Sequence, residues 1–132
     1  MNSVIHKIKL KNFKNNSGSL LSLQEIFSLI NVKNSFIIKS TKNKVRGNHA
    51  HKKATQIMCC LKGKVKVVIK NSDNQKVFLL KEEKNYCLFV PKCNWTQIQF
   101  LKKSIILVLS SEKYSENEYI RKYSDFLNYK KK

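Results

Sequence analysis

The residues best suited to chemistry lie in one short run, Arg46-Gly47-Asn48-His49-Ala50-His51-Lys52-Lys53, followed by Gln56. In an extended strand alternate side chains share a face, so His49 and His51 point the same way with α-carbons roughly 7 Å apart. Two imidazoles so placed can flank one small ligand. With an ordinary pKa of about 6.5, imidazole both accepts and donates protons near neutral pH. The chain has three histidines, and the third, His6, stands far away on the first expected strand. A divalent metal would need more ligands than this pair. Gln56 is a weak neutral ligand, and the later segment around Pro91, Asn94 and Trp95 offers no histidine. No metal and no cofactor are expected, and the two histidines are free to move protons.

The elements that must hold these residues are mostly strands. Apolar residues alternate with Lys from Val4 to Leu10, and a polar break at Asn15, Asn16, Ser17 and Gly18 precedes a second strand over Leu20 to Leu23. Gln24 to Ile30 fits either a helix or a strand. Phe36 to Ile38 reads as a strand, and the strongest β signal runs from Val45 to Leu61 and on through Val65 to Ile69, with a tight turn at Gly63. Turns at Asn71 to Gln75 and Lys81 to Asn85 frame strands Val77 to Leu80 and Tyr86 to Val90. Pro91 must lie at an edge or turn because it cannot donate to a ladder. Thr96 to Phe100 and Ile105 to Leu109 complete the series, which predicts a sandwich or barrel. At the end the period changes. Ser115 and Glu118 have capping-box spacing, and Tyr119, Ile120, Tyr123, Phe126 and Leu127 then share one face of a predicted helix.

At 132 residues, residues 1–132 are expected to form a single domain able to bury a core without disulfides or metal. The net charge of +19 raises nucleic acid or an anionic membrane as partners. Of the 27 basic residues only Arg46 and Arg121 are arginine, however, and the lysines are scattered rather than clustered among stacking aromatics. Neither nucleic acid nor membrane is the expected partner, although so positive a field would gather a small dianionic substrate. Cys59, Cys60, Cys87 and Cys93 lack zinc-site spacing, and the first three sit in apolar strand-like runs as small hydrophobes. There is no apolar stretch of about 18 residues and no signal-peptide pattern, so a reduced cytoplasmic setting is expected.

Several motifs together resemble the nucleotide-sugar 3,4-ketoisomerases, WxcM-like members of the cupin superfamily. They are Arg46-Gly47-x-His49-x-His51-Lys52-Lys53-x-x-Gln56, Pro91 with Trp95, Leu107-Val108-Leu109-Ser110-Ser111 with Tyr114, and Tyr119-Ile120-Arg121-x-Tyr123-x-x-Phe126. The resemblance spans about residues 18 to 127. It implies a mainly β chain, a small cupin or jelly-roll β-barrel with a C-terminal helix. It also implies metal-independent isomerisation of a dTDP-linked 4-keto-6-deoxy sugar and a homodimer formed by strand exchange. Metal-binding cupins place a Glu and a Gly after such a histidine pair; Gln56 and Gly63 stand at those positions here.

The resemblance makes His49 and His51 the catalytic pair, with His49 assigned to carbon protons, His51 to oxygen protons, and the reverse left open. Arg46, out of phase with the histidines, would pair with a diphosphate or brace the sheet or dimer. Gln56 would orient a histidine or a sugar hydroxyl. Trp95 would form a pocket wall or part of the core. Before the histidine motif the family carries a Pro-Phe pair, then an Arg and aromatic residues, where this chain has Ile30, Asn31, Lys33, Asn34 and Phe36. Lys33 would replace the charge, while Phe36 cannot replace a hydroxyl. Tyr119, Ile120 and Arg121 are assigned to packing or dimer contact on the terminal helix. A non-catalytic cupin module that binds a sugar or nucleotide is the competing reading, and a basic nucleic-acid-binding β-barrel a third.

Overall fold

The computed structural model describes residues 4–131. The strands are β1 (His6–Lys9), β2 (Asn12–Asn15), β3 (Gly18–Leu21), β4 (Asn34–Ser40), β5 (Val45–His51) and β6 (Gln56–Lys62). They continue with β7 (Lys64–Asn71), β8 (Asn74–Lys81), β9 (Tyr86–Val90), β10 (Trp95–Phe100), β11 (Ser104–Ser110) and β12 (Tyr119–Ile120). Two short helices, α1 (Gln24–Phe27) and α2 (Tyr123–Lys130), complete the set. One antiparallel sheet has the order β1-β9-β6-β11-β4 and a second β12-β5-β10-β7-β8, with β2 and β3 as a separate hairpin. The sheets face each other as a sandwich. The barrel expected from the resemblance is corrected in this respect: the jelly-roll layers are there, but among the described residues no hydrogen-bonded ladder joins β4 to the second sheet.

The inner layer follows from alternation. Val65, Val67 and Ile69 of β7 point inward with Met58, Leu88, Ile98, Phe100, Ile106 and Val108, whereas Lys64 and Lys66 on the opposite face are partly exposed. β6 is apolar on both faces because it lies between two cores. Met58 and Cys60 join the inner layer, while Ile57 and Cys59 turn outward against Leu10, Ile26, Cys87 and Phe89. Ile26 is what decides the ambiguous segment after Leu23. Its full burial in that outer core rewards one helical turn over Gln24–Phe27.

The end of the chain departs from its predicted helix. Glu116–Glu118 forms a single 3₁₀ turn, Ser115 makes no side-chain cap bond, and Tyr119 and Ile120 pair with His51 and Ala50 as an edge strand of the second sheet. Helix α2 begins only at Tyr123. Strand pairing and burial of Ile120 outweigh the local helical pattern, a case of tertiary context overriding propensity. Phe126 and Tyr123 then pack on the ring of Trp95 with centroids 6.0 and 5.3 Å away, clamping α2 to the outer face of β5 and β10.

A bulge in β5 sets the phase of the histidine motif. Ile98 faces Arg46, Gln97 faces Gly47, and Thr96 faces His49, so Asn48 is the extra residue. Gly47 has φ +90° and Asn48 φ +59°. A Cβ on Gly47 would lie 2.8 Å from the Thr96 carbonyl oxygen. Glycine is required there for conformation and for space. Gly47→Ala is therefore expected to destabilise the protein by about 1–3 kcal/mol, from positive-φ strain and the forced shift of β10. Urea unfolding measures this; a midpoint equal to that of the wild type would show that the bulge does not depend on Gly47.

Candidate active site

A cleft of about 470 Å³ opens between the two sheets beside the histidine motif. Strand β5 contributes Arg46, Gly47 and His49, β10 contributes Thr96 and Ile98, and β6 contributes Gln56 and Met58. Phe36, Ile37 and Ile38 of β4 form an apolar wall, and Tyr119 and Arg121 close the cleft from the side of β12. Arg46 reaches this space because of the bulge. By simple alternation it would share a face with Asn48, but the extra residue returns it to the face of His49, correcting the out-of-phase placement read from the sequence. A second cleft of about 750 Å³ adjoins the first through Lys39 and Arg46, and Lys44, Lys62 and Lys103 also line it.

The two imidazoles are perpendicular neighbours, with ring centroids 5.0 Å apart, and the Tyr119 ring touches both, edge-on to His49 at 5.0 Å and tilted against His51 at 4.4 Å. Alternation sends Ala50, between them, into the opposite layer with Trp95 and Phe126. His51 Nδ1 lies 2.7 Å from a carboxylate oxygen, Oε1 of Glu118. The other oxygen, Oε2, accepts the backbone N–H groups of Lys53 at 2.9 Å and Ala54 at 3.1 Å. The loop that follows β5 and the turn that precedes β12 are thus tied to one buried carboxylate.

Burial, then the neighbouring His51, then Arg121 pull the pKa of His49 down to about 4. Its ring is therefore neutral at neutral pH. For Glu118 burial pushes upward, but the amides of Lys53 and Ala54 and the His51 ring together hold the carboxyl below its usual range. His49 Nδ1 and His51 Nε2 are buried without a hydrogen-bond partner. A buried polar atom left unpaired costs about 1–3 kcal/mol. Two such nitrogens next to a cleft are suited to exchanging protons with a bound molecule. At the rim, Arg121 grips Glu116 with two bonds of 2.6 and 2.9 Å and lies over the Tyr119 ring at 4.5 Å.

The structure gathers His49, Arg46 and Gln56 around one cleft with His51 directly behind, and leaves two candidates elsewhere. Trp95 faces away from the cleft and serves as the packing surface for α2, since Thr96 and Ile98 are the inward residues of β10. Lys33 is exposed outside the cleft lining, its backbone N–H bound to the Ser110 carbonyl. Conversely, Glu118, Tyr119 and Arg121 belong to the site rather than to a terminal helix, correcting their sequence assignment. The signal for Glu118 was present but misread. It is one of only eight acidic residues and adjoins the Tyr-Ile-Arg motif, yet its spacing from Ser115 imitates a helix cap. Among the described residues no three His, Cys, Asp or Glu side chains gather in a way that could hold a metal.

The chain matches the family model FdtA, described as WxcM-like, C-terminal, over residues 2–131. It is 32% identical over 127 residues to TDP-4-oxo-6-deoxy-alpha-D-glucose-3,4-oxoisomerase of Aneurinibacillus thermoaerophilus, covering 92% of this chain and 91% of that one. Its fold superimposes on a 3,4-ketoisomerase from Helicobacter canadensis with a TM-score of 0.91 and 32% identity, over 99% of this chain and 100% of the other. It is also similar to QdtA, a sugar 3,4-ketoisomerase from Thermoanaerobacterium thermosaccharolyticum in complex with TDP. That match has a TM-score of 0.89 and 30% identity over 96% of this chain and 94% of that one. Matched over nearly its whole length, and carrying its paired histidines beside a cleft between two sheets, the chain belongs to the WxcM-like FdtA family.

Proposed function

We propose that this protein is a nucleotide-sugar 3,4-ketoisomerase, converting a dTDP-linked 4-keto-6-deoxyhexose to its 3-keto isomer. The observation that carries the reading is the pair of buried, unpartnered ring nitrogens of His49 and His51 at a cleft in a chain of this family. Moving the carbonyl from C4 to C3 requires a proton to leave C3, an enediol to form, and a proton to arrive at C4. His49 lines the cleft and is neutral, so it takes the carbon proton; His51 serves the oxygens. Gln56 orients the sugar. Arg46 stands where the histidine cleft meets the lysine-lined one and meets the diphosphate, for which its planar fork is suited.

No metal or other cofactor takes part in this scheme. A homodimer formed by strand exchange is proposed with it, supported by the position of β1 at a sheet margin, joined to its sheet through β9. A cytoplasmic setting is proposed as well, supported by four cysteines that form no disulfide. No helix among the described residues is long and apolar enough to cross a membrane. The apolar wall of Phe36, Ile37 and Ile38, which offers no hydroxyl, favours the binding-only module as the second reading.

Incubation of the purified protein with dTDP-4-keto-6-deoxyglucose and NMR of the product separates the two readings. The expected result is the 3-keto isomer, with deuterium at C4 when the reaction is run in heavy water; binding without turnover would establish the module instead. His49→Asn and His51→Asn should each lower turnover by roughly 100-fold or more, because asparagine keeps a polar group but exchanges no proton near neutral pH. Near-normal turnover in both variants, or losses that follow unfolding, would remove the histidines from the chemistry. Activity should survive exhaustive chelation. Recovery only on adding back a divalent ion would show that a metal is used.

His49 also makes acid stability predictable. An unfolded histidine binds its proton near pH 6.5, whereas folded His49 does so near 4. Between these values the unfolded chain binds more protons, so stability falls as the pH drops from about 6.5 to about 4 and this contribution then levels off. His49→Asn should therefore lose less stability than the wild type across that window. Urea midpoints at pH 7 and pH 4.5 measure the difference, and equal losses would mean that His49 titrates normally.

A further inference from the structure

We propose that Glu118 is a positioning residue for the isomerisation: it fixes the proton of His51 on Nδ1, so that Nε2 is the one ring atom through which His51 exchanges protons with substrate. The inference rests on the ketoisomerase reading for its catalytic half, but its tautomeric half stands on geometry alone.

An ionised carboxylate has no proton to donate. Glu118 Oε1 is 2.7 Å from His51 Nδ1, so that nitrogen must carry the hydrogen whether the ring is neutral or charged. The carboxylate cannot turn away, because Oε2 is held by the amides of Lys53 and Ala54 at 2.9 and 3.1 Å. Those amides belong to the chain directly following His51, so one side chain fixes both the ring and the backbone that carries it. Neighbouring β-pairing adds a second restraint: Tyr119 pairs with His51, and the Lys52 N–H bonds the Glu118 carbonyl at 2.9 Å. The remaining ring nitrogen, Nε2, is buried and has no hydrogen-bond partner. It is left to accept a proton from, or return one to, a ligand that enters beside His49 and Tyr119.

The pattern of donors makes the substitution Glu118→Gln informative. Two backbone N–H groups demand an acceptor at the Oε2 position, so the glutamine carbonyl must face Lys53 and Ala54. Its NH₂ group then points at His51 Nδ1 as a donor. The ring must answer by accepting there and carrying its hydrogen on Nε2. The variant keeps three hydrogen bonds and the shape of the site but reverses the tautomer. An orienting carboxylate lost in this way from a histidine base lowers turnover strongly without dismantling the site.

The experiment reads the His51 ring nitrogens by ¹⁵N NMR in the full-length wild-type protein and in Glu118→Gln, with kcat, KM and TDP affinity measured in parallel. Wild type is expected to show its hydrogen on Nδ1. Glu118→Gln is expected to show it on Nε2 and to lose kcat by roughly 10-fold or more, with KM and TDP affinity within about 3-fold of wild type. Glu118→Asp, which keeps an acceptor, should restore the wild-type tautomer and part of the rate. A wild-type ring protonated on Nε2 alone would overturn the proposal even if Glu118→Gln proved unable to fold. So would a Glu118→Gln protein with reversed tautomer and unchanged kcat. The tautomer is measured without turnover, so an inactive wild type with Nδ1–H would refute the ketoisomerase reading while leaving the structural assignment in place.

Discussion

The site depends on one buried contact, the hydrogen bond between the His51 ring and the Glu118 carboxylate. A carboxylate taken out of water is stable only when its oxygens are occupied, and here three donors occupy them: one imidazole N–H and two backbone amides. A buried polar group left without its partner costs about 1–3 kcal/mol, and more when it is charged. The contact joins residues 67 positions apart and fastens the end of β5 to the turn before β12. Once it is made, Tyr119 touches both histidines, and Arg121 is delivered to the rim of the cleft.

Around that contact the two layers have different tasks. The inner core of β6, β7, β10 and β11 is apolar, and it supplies the floor of the cleft through Met58, Ile98 and Val108. The outer cluster of Ala50, Trp95, Ile120 and Phe126 presses α2 against the back of β5. Ala50 lies between the two histidines in sequence and on the opposite side of the sheet in space. Packing against Trp95 therefore holds the histidine-bearing strand from behind, and a tryptophan without access to the cleft still supports the geometry of the site. Burial and the nearby positive charge act in the same direction on His49, both disfavouring the imidazolium, so the ring stays neutral in its cleft. Burial is the larger cause, and the Arg121 charge adds to it.

Local period and turn chemistry carried much of this protein into view before any tertiary contact was known. The strand series, the turn at Gly63 and the common face of His49 and His51 all follow from interactions within a few residues, chiefly the two-residue repeat of side chains in an extended chain. The motifs around Arg46, His49, His51 and Tyr119 sufficed for the family resemblance. What tertiary structure alone decided depends on register between distant segments. Capping-box spacing at Ser115 and Glu118 is locally sound, but pairing with His51 and Ala50 and burial of Ile120 make β12 the better use of Tyr119 and Ile120. The bulge at Asn48 changes the phase of Arg46 by one residue, which shows only against the partner strand β10. Trp95 and Thr96 are equally eligible for a pocket until the direction of β10 is set, and Glu118 acquires its role only when His51 is brought to it. Sequence determined which residues could move protons, because that is a property of each side chain; the fold decided which of them meet, because that is a property of contacts across the whole chain.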